Sequence, residues 1–216
     1  MEHIENMKLL SDIKEIIVND KKLLLLTNAY YFGLVIAGAI IALIFPQAQL
    51  YMLDMAQTGF SSGPLSGVST AYASGNVLYA AGVTFITNLF LGTIVEITLP
   101  SLIIPIWAPF MGLIRALMWG IMLIIPVPGV LPWTSVVPHY LTILLEGEAY
   151  VVAIFACLRQ VKVLLKLGAI PKGQRIGAYL KTIVDNVKLL APVALILAIA
   201  ALYEAWEVIF FAGILK

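Results

Sequence analysis

From Leu23 to Phe45 no charged side chain interrupts the chain, and Pro46 ends the run. A helix rises about 1.5 Å per residue, so this stretch can cross the roughly 30 Å hydrocarbon core of a bilayer. Inside lipid every backbone N–H and C=O must be satisfied within the protein, which leaves helices or a closed barrel. Further apolar runs of helical length follow it. The expected fold is therefore all-α: a polytopic integral membrane bundle of about five transmembrane helices, with amphipathic helices at its surfaces. Composition agrees, since 62% of the 216 residues are hydrophobic and 12% are charged. A soluble domain carries about 25% charge. Residues 1–216 are read as a single transmembrane domain.

In chain order, residues 1–22 place Ile4, Met7, Leu9, Leu10, Ile13, Ile16 and Ile17 at helical spacing. This segment is expected to be a cytoplasmic amphipathic helix that lies on the membrane surface or packs on a neighbour. The run after Lys21 and Lys22 exceeds a secretory apolar core of about 7–15 residues, so it is expected to be retained as the first span. Its Gly33, Ala37 and Ala42 offer a small-residue face for close helix approach. Residues 46–75 are expected to be an external loop, with a short interfacial helix over 47–56. Its Gly/Ser-rich part is either a connector or a lid over a central cavity.

The second span is expected over 76–97 and the third over 99–125. Pro100, Pro105 and Pro109 crowd the start of the third. Each removes a backbone donor and clashes with the preceding turn, so this half is expected to be kinked, unwound or re-entrant. Pro138 to Leu165 is apolar enough to span, yet it contains His139, Glu146 and Glu148. Other spans are expected to surround it. The segment 159–188 is basic, and within it Ile176, Leu180, Ile183, Val184 and Val187 suggest an amphipathic helix on the cytoplasmic leaflet. The last span is expected over 189–214.

Lys and Arg are absent from 46–75 and 126–137 but frequent before Leu23 and in 159–188. The positive-inside rule then places the N-terminus in the cytoplasm of a cell membrane and Lys216 outside. A net charge of +1 argues against a nucleic-acid partner. The single Cys157 excludes an intrachain disulfide and a cysteine metal cluster and reads as a small core residue.

Depth counted along each span puts Asn88, Arg115, Glu146, Glu148, Glu204 and Glu207 in one slab near the midplane. Glu204 and Glu207 share a helix face, as do His139 and Glu146. Glu146 and Glu148 lie about 200° apart around their helix and face different ways. Arg115 is expected to meet carboxylates of this group. One guanidinium against four carboxylates leaves excess negative charge. Buried carboxylates without partners take protons, so the cluster must hold protons, bind cations, admit water, or serve as hydrogen-bonded glue. A metal cation is a further option, with His139, Glu146 and Glu204 or Glu207 as ligands of the kinds zinc uses. No HExxH, GxSxG or P-loop occurs, and no GxGxxG has a strand context. No catalytic residue is assigned.

Three patches resemble one family. FITNLFLG (85–92) looks like an Asn-containing second span, VVPHYLTILLEGEA (136–149) like a Pro-His followed by Glu, and LILAIAALYEAWEVIF (195–210) like a glutamate-bearing last span. Together they resemble the stage II sporulation protein M family of small integral membrane proteins. Tyr140 stands where that family usually has Gly, Glu146 follows the His by seven residues rather than four, and Met111-Gly112 replaces an Asn-Gly. The resemblance implies a membrane scaffold that recruits cell-envelope partners. The residues themselves favour a transporter- or channel-like protein for an ion or small polar solute, expected to act as a homo-oligomer. A non-catalytic scaffold using the two amphipathic segments is the second reading, and an intramembrane metal-dependent enzyme the third.

Overall fold

The computed structural model describes residues 2–63, 65–166 and 170–212. Nine α-helices follow in order among the described residues: α1 (Glu2–Asn19), α2 (Lys21–Ile44), α3 (Pro46–Ser61), α4 (Ser66–Ala73), α5 (Val77–Ile86), α6 (Leu99–Ser101), α7 (Trp107–Leu123), α8 (Trp133–Leu165) and α9 (Arg175–Glu207). A π-helix over Thr87–Thr98 joins α5 to α6, and a π turn over Val208–Ala212 follows α9. There is no strand among the described residues, so the all-α expectation holds.

Four helical stretches are long and apolar enough to cross a bilayer: Lys21–Ile44, Val77–Ser101, Trp133–Leu165 and Lys172–Phe211. The chain is thus a multi-pass membrane protein. Its outward residues fit that reading, with Leu26, Ile36, Leu43, Leu78, Ile86 and Leu195 all exposed.

The third expected span is where the structure differs. The second helix does not stop at Ile97 but runs through Pro100 to Ser101. The chain then leaves helical geometry over 102–106 and restarts at Trp107. Pro105 cannot donate to a helix and disfavours helical backbone before it. The restarted helix α7 has 17 residues, about 26 Å at the usual rise, short of the roughly 30 Å core.

α8 is the central helix. Of its apolar window 67% is buried, against 28–33% for the other three candidate spans. Every residue from Ala149 to Cys157 is buried, as expected of a helix that is apolar all round. On one side Ala149, Val152, Ala153 and Ala156 pack against Leu189, Val193 and Leu197 of α9. On another, Tyr150, Val151 and Ile154 pack against Tyr31 and Val35 of α2 and Ala108 and Ala116 of α7.

α2 and α7 approach one another closely. A Cβ on Gly38 would lie 2.9 Å from Gly120 Cα, and one on Gly120 would run into the Val35 carbonyl oxygen. The small-residue face of α2 is therefore Val35, Gly38, Ala39 and Ala42, all buried. Gly33, expected to belong to it, has nothing within 4 Å of an added Cβ.

Acidic and basic groups knit the helices together at one end. Arg159 of α8 donates from Nε to Asp20 Oδ2 at 2.9 Å and from Nη2 to Asp185 Oδ2 of α9 at 3.1 Å. Lys162 also pairs with Asp20. Burial pushes the Asp20 carboxyl up, but hydrogen bonds from Lys162 and Arg159 pull it down further, so it ends below its ordinary value. Lys188 pairs with Asp12 of α1 at 2.8 Å, and that hydrogen bond holds the Asp12 carboxyl low. Ile13 and Ile16 are buried in the α8–α9 core, so α1 takes the second of its two expected dispositions and packs on a neighbour. Ile4 and Met7 fall outside the described side chains.

The basic segment differs from its expected form. Residues from Arg175 onward belong to one continuous 33-residue helix with the last span, rather than to a separate helix lying flat. Its apolar stripe, Ile176, Leu180, Val184 and Val187, faces outward, while Thr182, Asp185 and Asn186 are buried. Asp185 points inward to Arg159, Thr182 donates to the Tyr179 carbonyl at 2.6 Å, and the apolar stripe takes the lipid side. Residues 167–169 of this segment, residues 213 and 214 of the expected last span, and Lys216 lie outside the described residues.

Candidate functional site

A cavity of about 570 Å³ opens between α5, α7, α8 and α9 beneath α3 and α4. The segment 46–75, expected to be largely loop, is mostly helical. Pro46 supplies the preset backbone of a first helical turn. Gln49, buried, donates from Nε2 to the Ile125 carbonyl at 2.6 Å, anchoring α3 to the end of α7. Met52, Met55 and Phe60 of α3 and Val68 and Tyr72 of α4 then form the cavity roof.

The floor is polar, and helix spacing explains it. His139, Thr142 and Glu146 fall three and four residues apart on α8 and all line the cavity. Glu204 enters from α9, and Thr84, Thr87, Asn88 and Glu96 enter from the second helix. Asn88 donates from Nδ2 to Glu146 Oε1 at 2.5 Å. Asn88 sits in the π-helix, where the wider turn lets Thr93 Oγ1 donate to the Asn88 carbonyl five residues back at 3.0 Å. π segments are rare and recur at functional sites. Tyr72 of the roof reaches down to accept from Thr84 Oγ1 at 3.1 Å and also interacts with Glu204.

Arg115 does not pair with Glu146, Glu204 or Glu207, as expected, but with Glu96. The guanidinium carbon stands 4.2 Å from the centroid of the buried Tyr150 ring, within cation–π range. Trp119 packs edge-on to that ring at 5.6 Å between centroids and to Tyr31 at 6.3 Å. Gly92 makes room for the arrangement, because a Cβ there would lie 3.0 Å from the Tyr150 hydroxyl and 3.3 Å from Arg115 Nη1.

The remaining expected residues separate into three settings. Glu146 and Glu204 face one another closely enough for their carboxyls to interact, and neither belongs to an ion pair among the described residues. Glu207 is fully buried beside this floor, accepting from Thr142 Oγ1 at 3.0 Å, with His139 Nδ1 3.3 Å from its Oε1. Glu148 turns away, as the helix geometry requires, and accepts from Asn28 of α2 at 3.4 Å. The convergence thus holds for Asn88, Arg115, Glu146, Glu204 and, one shell behind, Glu207, but not for Glu148.

His139, Glu146 and Glu204 all line the cavity, yet among the described residues no group of three or more His, Cys, Asp or Glu side chains is arranged to hold a metal. His139 is instead engaged with Glu207. Sequence reasoning missed Glu96, Tyr72, Trp119 and Tyr150. For Glu96 a signal existed: Glu96 and Arg115 lie at similar distances either side of Pro105, so a helical hairpin turning there brings them near one another. No family model, no curated protein and no solved structure matches this chain.

Proposed function

We propose that this chain is a transporter-like membrane protein that takes a small cationic or polar solute into the cavity beneath α3 and α4. The carrying observation is the carboxyl pair Glu146 and Glu204 on the cavity floor, neither in an ion pair among the described residues. Among the described residues Arg115 is the only Lys or Arg lining the cavity, and Glu96 neutralises it. A volume of about 570 Å³ suits a small-molecule site, which typically spans roughly 300–1,000 Å³.

The roof would be the outer gate. Its segment carries no Lys or Arg, whereas the opposite end gathers Arg159, Lys162 and Lys188. The positive-inside rule then puts the N-terminus in the cytoplasm and the cavity mouth outside. The break at 102–106 would be the hinge, since re-entrant or broken backbone at membrane depth is tolerated where protein or water surrounds it. The resemblance to the stage II sporulation protein M family enters as a proposal too. Its support is that Asn88, His139, Glu146 and Glu204, one from each patch or two, meet at this cavity.

The test is flux in proteoliposomes, wild type against Glu204→Gln, for a panel of Na+, K+ and small ammonium compounds. Wild-type flux above empty vesicles, lost in the variant, is expected. Background flux for wild type and variant alike across the panel would remove the transport reading.

A further inference from the structure

The cavity has two unlike surfaces. Its floor offers the acceptors of Glu146, Glu204, Asn88 and Thr142, while its walls and roof are apolar and aromatic: Met52, Phe60, Met118, Trp119 and Ile143 among them. An inorganic cation would use the floor and leave the walls facing water, with no gain from them. A neutral apolar molecule would use the walls and leave the floor's acceptors without a donor from the ligand.

From this pairing we infer that the occupant is a protonated amine with an apolar body, its ammonium on the Glu146–Glu204 floor and its body against the α3–α7 walls. This deepens the transport reading and rests on its choice of site. A primary ammonium carries three donors and no acceptor, matching a floor whose carboxyls face one another. Glu146 is only 6% exposed, so its carboxyl has little contact with anything but the cavity and its neighbours. Tyr72 and Trp119 also line the cavity, and aromatic rings attract cations within about 6 Å. Removal of the apolar body from water supplies the rest of the affinity.

The other charged groups around the cavity have partners of their own. Arg115 is matched by Glu96 and stacked on Tyr150, and His139 is turned to Glu207. Neither offers its charge to the floor pair in an ion pair. Glu148 lies on the opposite face of α8, engaged with Asn28, and supplies an internal control.

The experiment is equilibrium dialysis of radiolabelled 4-phenylbutylammonium against the full chain in nanodiscs, with empty nanodiscs subtracted for lipid partitioning. Saturable binding of one equivalent is expected. Glu146→Gln and Glu204→Gln should each weaken it at least tenfold, while Glu148→Gln leaves it unchanged. Ala56→Trp, which fills the roof without touching charge, should also abolish binding, and guards against loss caused by misfolding of the floor variants. The neutral counterpart 4-phenylbutanol should compete at least tenfold less well, and Na+ or K+ should not compete beyond their effect on ionic strength. Equal competition by the alcohol would overturn the proposal, as would displacement by Na+ or K+ at the same site, or absence of saturable binding. Binding without flux in proteoliposomes would keep the ligand and remove transport. Flux of Na+ or K+ without amine binding would do the reverse.

Discussion

Gly120→Ala tests how the short helix α7 is held. Gly120 and Gly38 meet where α7 crosses α2, and a Cβ on Gly120 would meet the Val35 carbonyl oxygen and sit 2.9 Å from Gly38 Cα. Both obstacles are backbone, so no rotamer change relieves them and the helices must separate. Overpacking costs about 1–3 kcal/mol, and a contact with backbone belongs at the upper end. Alanine returns about 1 kcal/mol of helix propensity, leaving a net loss of about 2 kcal/mol. For a chain of this size each kcal/mol moves the thermal midpoint by roughly 2–4 °C, so a fall of about 4–8 °C is expected in detergent. Gly33→Ala on the outer face of α2 is the matched control. A Cβ there meets nothing within 4 Å, so only the propensity gain remains, and the midpoint should rise by about 2–4 °C. The two variants change the same atoms in helical glycines. If both raise the midpoint, α2 and α7 do not cross at Gly38 and Gly120, and the placement of Arg115 loses its support.

Arg115→Leu should destabilise by about 3 kcal/mol, the lower end for a broken buried pair, because the Glu96 side chain is 36% exposed. Arg115→Lys keeps the charge but loses the planar stack on Tyr150, and should cost about 1 kcal/mol. Thermal midpoints in detergent rank the three proteins, and an Arg115→Leu midpoint equal to wild type would refute the pairing. Asp20 carries a pH prediction. Its folded carboxyl lies below its ordinary value, so the stability it adds is present above the unfolded pKa of about 3.9 and is lost as pH falls through the folded value. Asp20→Asn should therefore lower stability at pH 7 by about 1 kcal/mol, and the gap to wild type should close at acidic pH. A gap that persists unchanged at pH 3 would contradict the Arg159–Lys162 contacts.

Much of this bundle is legible from local pattern. The charge-free run at 23–45 and the central role of 138–165 follow from helix length and apolar content. The opposed directions of Glu146 and Glu148 follow from angular spacing alone, and so does the shared face of His139 and Glu146. What failed was the partner of Arg115. The prolines were read as a kinked, unwound or re-entrant half of a span starting at Leu99, whereas the chain turns over 102–106 and Trp107 Nε1 donates back to the Glu96 carbonyl at 2.7 Å. That hairpin brings Glu96 level with Arg115 and removes the one cation from the carboxyl group it seemed to serve. The amphipathic stripe at 176–187 misled for a different reason. Periodicity identifies an apolar face but not its solvent, and in a membrane the apolar face looks outward. The π-helix at Thr87–Thr98 left no mark that spacing could read.

The two ends of the molecule treat charge differently, and that difference is the reason to read the cavity as a working site. At the basic end Asp12, Asp20 and Asp185 each have a cation within ion-pair distance. At the cavity end Glu96 has Arg115 and Glu207 has His139, but Glu146 and Glu204 have each other. Stability does not call for such a pair. Burying carboxyls is costly, and even well-matched buried ion pairs can often be replaced by apolar residues of similar volume with no loss. Leucines at 146 and 204 would satisfy α8 and α9 as packing helices. Their carboxyls are instead exposed to a space large enough for a small molecule, under a roof tied to the barrel of helices through Gln49 and Tyr72. Two facing carboxyls at the edge of such a space give it a polar end that packing alone does not require.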